Sequence, residues 1–174
     1  VRPADVTVVE HLLEAGEALT RIVTLAPEQD ADLRVTRRLA RQGIVVAAGH
    51  CDPMRDQLAA AIDAGLSLFT HLGNGCPREL ERHDNIIQRV LSLSDRLWCS
   101  LIVDGVPFPY FVLHDWLRCL GYERGIVVSD AIAALSFRLA HHDLSVYNAV
   151  QKLLYLGVIV AAFVVALSGL AIWK

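Results

Sequence analysis

Two hydrophobic patterns alternate along residues 3–129. Apolar residues at helical spacing are followed each time by a short continuous apolar run, which is typical of a buried strand. The helical pattern predicts helices over 3–19, 29–42, 53–64, 84–94 and 109–120. The continuous runs predict strands over 21–27, 44–48, 66–70, 97–103 and 125–129. Strands separated by helices in this way indicate right-handed crossovers and a parallel sheet of about five strands, so we predict an α/β fold.

Continuous apolar runs such as IVVAA at 44–48 are expected in strands when both faces of a sheet are covered. This pattern does not distinguish a barrel from a doubly wound sheet. Gly43, Gly65 and Gly121 each follow a predicted helix, where a left-handed residue commonly ends the helix. The sequence has no GxGxxG or GxxxxGK[ST] motif, so nothing in it supports a nucleotide-binding first turn.

A different pattern occupies the carboxyl end. Leu153 to Trp173 is a run without a charged residue, bounded by Lys152 and Lys174. A helix of about 20 residues spans about 30 Å, the thickness of the hydrocarbon core of a bilayer, so the run predicts a transmembrane helix at 153–173. The alternative is a helix buried within a soluble protein. One lysine at each end does not orient the segment in a membrane.

Composition limits the function further. The chain has 174 residues, fewer than the roughly 250 of a complete (β/α)8 barrel. Its net charge of −3 gives no electrostatic footprint for nucleic acid, so we expect no nucleic-acid partner. The four cysteines form no CxxC pair, which argues against a zinc ribbon and a disulfide framework and favours reduced thiols in the cytoplasm. Because Val1 stands in place of a methionine and no secretory signal is evident, we expect a fragment.

Three polar residues directly follow predicted strands: His50, His71 and Asp130. Parallel barrels present metal ligands and catalytic acids or bases at the carboxyl ends of their strands, and imidazole is a common ligand of divalent ions. Each residue also has a structural interpretation, because histidines often pack beside strands and Asp130 could cap the helix that follows. The Asn74–Gly75 pair could form a turn or offer an amide and an approachable backbone to a ligand.

An ordered set of motifs covers about residues 1–134. They are VTLAPE (23–28), AAGH (47–50), THLGNG (70–75), VDGV (103–106) and VVSDAIA (127–133). In order and placement they resemble the N-acetylglucosamine-6-phosphate deacetylases, TIM-barrel members of the amidohydrolase superfamily. The resemblance implies that residues 1–134 form a partial (β/α)8 barrel.

The resemblance also implies roles for individual residues. His50 and His71 would bind a divalent metal ion, with Zn²⁺ expected, and Asp130 would act as general base and then as general acid. Asn74 and Gly75 would contact the sugar phosphate. The implied reaction is hydrolysis of N-acetylglucosamine 6-phosphate to glucosamine 6-phosphate and acetate.

Three departures from the family predict impaired activity. The metal-binding glutamate of its LEGP-like motif has no counterpart before the first helix, and Glu28 lies on the following strand, where we expect a structural role. The DGxH motif is replaced by Asp104, Gly105, Val106 and Pro107. The family's later glycine-rich segment and small β domain are not matched. An incomplete barrel leaves two sheet edges unpaired, which leaves homo-oligomerisation or pairing with another chain open.

The segment 139–174 resembles the first membrane-spanning region of bacterial b-type cytochrome subunits of the cytochrome b561 or thiosulfate-reductase kind. This implies a lipid-bilayer anchor at 153–173, preceded by a junction with an amphipathic lead-in at 135–152. The membrane run holds no histidine, and His141 and His142 precede it by about 18 Å of helix, so no haem site is expected from this chain alone. We interpret the chain as two partial proteins joined near 134–139. The alternative function is a membrane-attached electron-transfer fragment.

Overall fold

The structure is a computed structural model, and it describes residues 2–103 and 107–129. The chain divides into two units, Val1–Val128 and Ser129–Lys174, and all of the helices and strands that follow belong to the first unit. Asp130, the 135–152 junction and the predicted membrane helix at 153–173 lie outside the described residues. Across the described ranges, none of the helices combines the length and the apolar character needed to cross a bilayer.

Within residues 2–103 and 107–129, five α-helices and five strands alternate in the order that the sequence predicts. The helices are α1 (Val6–Ala15), α2 (Arg34–Arg41), α3 (Arg55–Asp63), α4 (Ile86–Leu91) and α5 (Tyr110–Leu120). The strands are β1 (Ile22–Leu25), β2 (Val45–Ala48), β3 (Leu66–Phe69), β4 (Trp98–Ile102) and β5 (Gly125–Val128).

The strands form one parallel sheet in the order β1-β2-β3-β4-β5. The predicted α/β fold with five parallel strands is therefore confirmed. Each strand pairs with its neighbour in sequence, without the reversal of order that marks a doubly wound sheet. This order is that of a (β/α)8 barrel, and within the described residues β1 and β5 are the two edges.

The hydrophobic core lies where the helices pack on the sheet. Leu39, Leu58 and Val90, from α2, α3 and α4, are fully buried together with alternate strand residues such as Val46 and Leu101. The loops at the carboxyl ends of the strands rest on this layer, and they carry the residues of the candidate site.

The predicted helix bounds differ most from the structure at the start of α2. The helix predicted over 3–19 is also shorter, Val6–Ala15. The helix predicted over 29–42 begins at Arg34, and two short 3-10 turns, Pro27–Gln29 and Ala31–Leu33, precede it. The reason is the buried side chain of Asp30, which accepts hydrogen bonds from the backbone of Val35 (3.0 Å) and Thr36 (2.8 Å). These are N–H groups of the first helical turn, which lack partners inside a helix, so Asp30 fixes where α2 starts.

Candidate metal and catalytic site

The structure brings the side chains of His50 and His71 together. Each lies two residues beyond the end of its strand, β2 and β3, and these strands are neighbours in the sheet. The ring centroids are 4.7 Å apart and the rings meet edge to face at 73°. Two imidazoles at this separation can bind one ion, because each offers a nitrogen donor.

Both histidines have a left-handed backbone, with φ of 51° at His50 and 38° at His71. Residues other than glycine seldom adopt this conformation, and when they do they concentrate at functional sites. His71 is fixed by β4, because its N–H donates to Ser100 Oγ at 2.6 Å and the next residue, Leu72, donates to the Ser100 carbonyl at 3.0 Å. The sheet therefore holds His71 in an otherwise unfavourable conformation.

One ring nitrogen of this pair is buried without a partner. His71 Nδ1 makes no hydrogen bond within the described part of the chain. A buried polar atom in this state costs free energy, and such atoms are uncommon in proteins unless an ion or a water molecule binds them. An unpartnered imidazole nitrogen beside a second imidazole fits a divalent metal ion.

Gly75 lies against both rings. A Cβ atom there would be 2.8 Å from His71 Cε1, closer than real Cβ contacts allow, and 3.2 Å from His50 Nδ1, which is tighter than most of them. The loop turns back at Asn74, whose N–H donates to the His71 carbonyl at 2.9 Å, while the Asn74 side chain is exposed. The sequence left Asn74–Gly75 open between a turn and a ligand contact, and the structure shows a turn whose backbone closely approaches the site.

Two aromatic residues that sequence reasoning missed support this loop. The rings of Phe108 and Trp116 pack edge to face with centroids 5.2 Å apart. Both lie over Gly73, which has φ of 79°, and a Cβ atom on Gly73 would collide with the Trp116 ring. No spacing or motif in the sequence indicates that α5 contacts this glycine.

Glu28 lies at the same edge of the sheet as the histidines, but its side chain binds the backbone of a neighbouring loop. Its Oε1 accepts a hydrogen bond from the backbone N–H of Asp52 at 3.0 Å, and its Oε2 is buried without a partner among the described residues. Residues 2–103 and 107–129 contain no group of three His, Cys, Asp or Glu side chains that could hold a metal ion. The histidine pair therefore fits as two ligands of an incomplete set, and Asp130 lies outside the described residues.

Cys51 and Cys76 also line the small pocket between the histidines. Burial, with the nearby carboxylates of Glu28 and Asp52, raises the pKa of the Cys51 thiol to about 12. Thiolate, not thiol, binds metals, so a metal ion would have to displace the proton of Cys51 to bind its sulfur.

The cysteines give a first prediction. Cys119 is exposed, whereas Cys51 and Cys99 are buried and burial raises the pKa of both thiols to about 12. At pH 8 we expect iodoacetamide to alkylate Cys119 at least about tenfold faster than Cys51 or Cys99, because the buried thiols keep their protons and are inaccessible. Peptide mass spectrometry over a time course measures this, with urea-unfolded chain as the control. Equal rates for Cys51 and Cys119 in the folded chain would contradict the structure.

The sequence of the chain is similar to those of known amino-sugar-phosphate deacetylases. The chain is 34% identical over 134 residues to N-acetylglucosamine-6-phosphate deacetylase of Bacillus subtilis, covering 77% of this chain and 34% of that protein. It is 33% identical over 116 residues to N-acetylgalactosamine-6-phosphate deacetylase of a Shewanella species, covering 66% and 29%. The chain spans about a third of the length of these curated relatives. No family model matches the chain.

The fold of the described residues is also similar to that of a solved deacetylase structure. The N-acetyl-D-glucosamine-6-phosphate deacetylase of Mycobacterium smegmatis matches with a TM-score of 0.68 and 34% identity, over 79% of this chain and 39% of that chain. A separate match is 36% identical over 77 residues to a protein from Azospira oryzae named as a protein-methionine-sulfoxide reductase subunit. It covers 42% of this chain and 39% of that protein.

Proposed function

Because the chain is homologous over about three quarters of its length to N-acetylglucosamine-6-phosphate deacetylases, we propose that it carries part of a metal-dependent amino-sugar deacetylase site. The observation that carries the proposal is the contact between His50 and His71, with a buried, unpartnered nitrogen on His71. The proposed substrate is an N-acetylhexosamine 6-phosphate, and the products are the free amino sugar phosphate and acetate.

In this proposal His50 and His71 hold the metal ion, and Zn²⁺ suits imidazole donors. When bound, the ion supplies Lewis acidity toward water and toward the acetamide carbonyl. Asp130 removes a proton from the attacking water and then delivers it to the departing amine, which is the usual task of a carboxylate beside a hydrolytic site. The absence of a side chain at Gly75 lets the backbone of the loop lie directly against the two histidine rings. In this proposal Asn74 and Gly75 contact the sugar phosphate from that loop.

The second prediction concerns the rate of the reaction. We expect the chain, purified and supplied with Zn²⁺ and N-acetylglucosamine 6-phosphate, to release acetate only slowly or not detectably. Pro107 has no N–H and no polar side chain, so it cannot donate the substrate hydrogen bond that the family's histidine implies, and a third metal ligand is lacking among the described residues. An enzymatic acetate assay measures the rate, and N-acetylgalactosamine 6-phosphate tests the second substrate suggested by the relatives.

Asp130→Asn is the control for this assay. Any acetate released by the unchanged chain should fall by at least about a hundredfold in the variant, because general acid–base groups contribute that much. Rapid release by the unchanged chain would contradict the expected impairment. Release that persists in Asp130→Asn would contradict the role of Asp130.

A second candidate function rests on the match to the reductase subunit. The chain would then be a membrane-attached electron-transfer fragment with its anchor at 153–173. A Soret band on adding haem to the purified chain in detergent would favour the cytochrome fragment and would overturn the expectation that this chain alone forms no haem site. Whether the chain forms homo-oligomers stays a prediction that sedimentation in the same detergent would test.

A further inference from the structure

Arg89 is a buried cation in a helix that otherwise packs apolar side chains. Its side chain is 8% exposed, and its neighbours on the same face of α4, Ile86 and Val90, belong to the hydrophobic core. Removing a guanidinium from water is unfavourable unless hydrogen bonds and opposite charges replace the water. The partners of Arg89 therefore indicate why it is buried there.

The partners come from the two loops that carry the candidate site. Arg89 Nη1 donates to Asp52 Oδ1 at 2.9 Å and to the Pro53 carbonyl at 3.1 Å, in the loop that begins at His50. Nε donates to Asp84 Oδ1 at 2.6 Å and Nη2 to the Asp84 carbonyl at 3.0 Å, at the end of the loop that begins at His71. One guanidinium thus joins both loops behind the histidine pair.

The contact between Arg89 and Asp84 shifts the pKa of both groups. The hydrogen bond from Arg89 lowers the pKa of the Asp84 carboxyl, and the same hydrogen bond raises the pKa of Arg89. Asp52 is held from a second side as well, because its backbone N–H donates to Glu28. A chain of hydrogen bonds therefore runs from Glu28 at the end of β1 through Asp52 to Arg89 on α4.

The two histidines need different supports for their left-handed backbones. His71 is held by Ser100 on β4. On the amino-terminal side of His50, Gly49 donates to the Leu25 carbonyl at a long 3.3 Å. The residues that follow His50 make shorter hydrogen bonds. The Asp52 N–H donates to Glu28, and Arg89 donates to the Asp52 carboxylate and to the Pro53 carbonyl.

From these contacts we propose that Arg89 is a positioning residue, which acts through Asp52 and Pro53 to hold His50 against His71. This inference deepens the proposed function, since it concerns the same histidine pair. Its test does not require a metal ion, because the measured quantity is the contact between the two rings.

The test measures the contact between the rings. In the full chain without metal, NMR should show a nuclear Overhauser effect between the ring protons of His50 and His71, whose centroids are 4.7 Å apart. We expect Arg89→Met and Asp52→Asn each to weaken this signal severalfold. Arg89→Lys, which keeps the charge and a single donor nitrogen, should retain part of it. Arg96→Met is the matched control, because Arg96 also pairs with a carboxylate, Asp63 at 2.5 Å, but outside these loops.

Asp52→Asn covers the case in which Arg89→Met does not fold, since the Asp52 side chain is more than half exposed. An unchanged ring contact in Asp52→Asn and in folded Arg89→Met would overturn the proposal, as would equal weakening in Arg96→Met. Co²⁺ titration then tests the link to metal binding, where we expect about a tenfold loss of affinity in Arg89→Met, as is typical of residues that orient metal ligands. If the unchanged chain binds no Co²⁺, the proposed function fails, but the ring contact still decides the role of Arg89.

Discussion

Replacing Asp30 with alanine is expected to lower the free energy of unfolding by about 3 kcal/mol, because it removes several charge-assisted hydrogen bonds from a buried site. Asp30 is 5% exposed and accepts from two backbone N–H groups of α2 and from the Thr36 hydroxyl at 2.7 Å. The substitution leaves all three donors buried without this acceptor. Urea denaturation followed by circular dichroism measures the change.

Asp5→Ala is the matched control for Asp30→Ala. Asp5 also accepts from two backbone N–H groups at the start of a helix, those of Thr7 and Val8, but it is exposed. Water can replace those hydrogen bonds, so the expected loss is about 1 kcal/mol. Equal losses in the two variants would show that the burial of Asp30 adds nothing to the stability of α2.

β2 and β3 were predictable because burial on both faces leaves a signature in the sequence. The runs at 44–48 and 66–70 predict these strands within two residues at each end, since mainly apolar residues fit between two packed layers. The start of α2 was not predictable from the same pattern. It depends on where the Asp30 side chain lies in three dimensions, and helical periodicity contains no information about that.

The candidate site likewise combines residues that the sequence pattern reveals with contacts that only the three-dimensional packing determines. Histidines directly after two successive strands can be recognised in the sequence, because neighbouring parallel strands end at the same edge of a sheet. The packing of Phe108 and Trp116 on Gly73 depends on the tilt of α5, which sequence spacing does not define. Arg89 did leave a signal, since it shares a helical face with Ile86 and Val90, and a charged residue among core positions indicates an oppositely charged partner nearby.

We expect His71→Ala to weaken Co²⁺ binding by about a hundredfold or more, which corresponds to about 2.8 kcal/mol. The variant removes the buried Nδ1 atom and leaves His50 as one imidazole of the pair. His50→Ala should have an effect of similar size, because either loss leaves a single nitrogen donor. Titration of the chain with Co²⁺, followed by its visible absorption, measures the affinities.

His114→Ala is the control for these variants, because it shows whether removing any surface histidine weakens Co²⁺ binding. His114 lies on α5, is exposed, and faces the carboxylate of Asp115 at 3.3 Å, so it resembles a weak metal site without belonging to the pair. Its removal should leave the Co²⁺ affinity within about twofold of the unchanged chain, as expected for a surface change away from the site.

The double variant His50→Ala/His71→Ala should lose little more Co²⁺ affinity than either single variant, because two ligands of one ion act as a unit and their effects are not additive. Additive losses would instead indicate two independent ions, and the contact between the two rings would then not define a shared site.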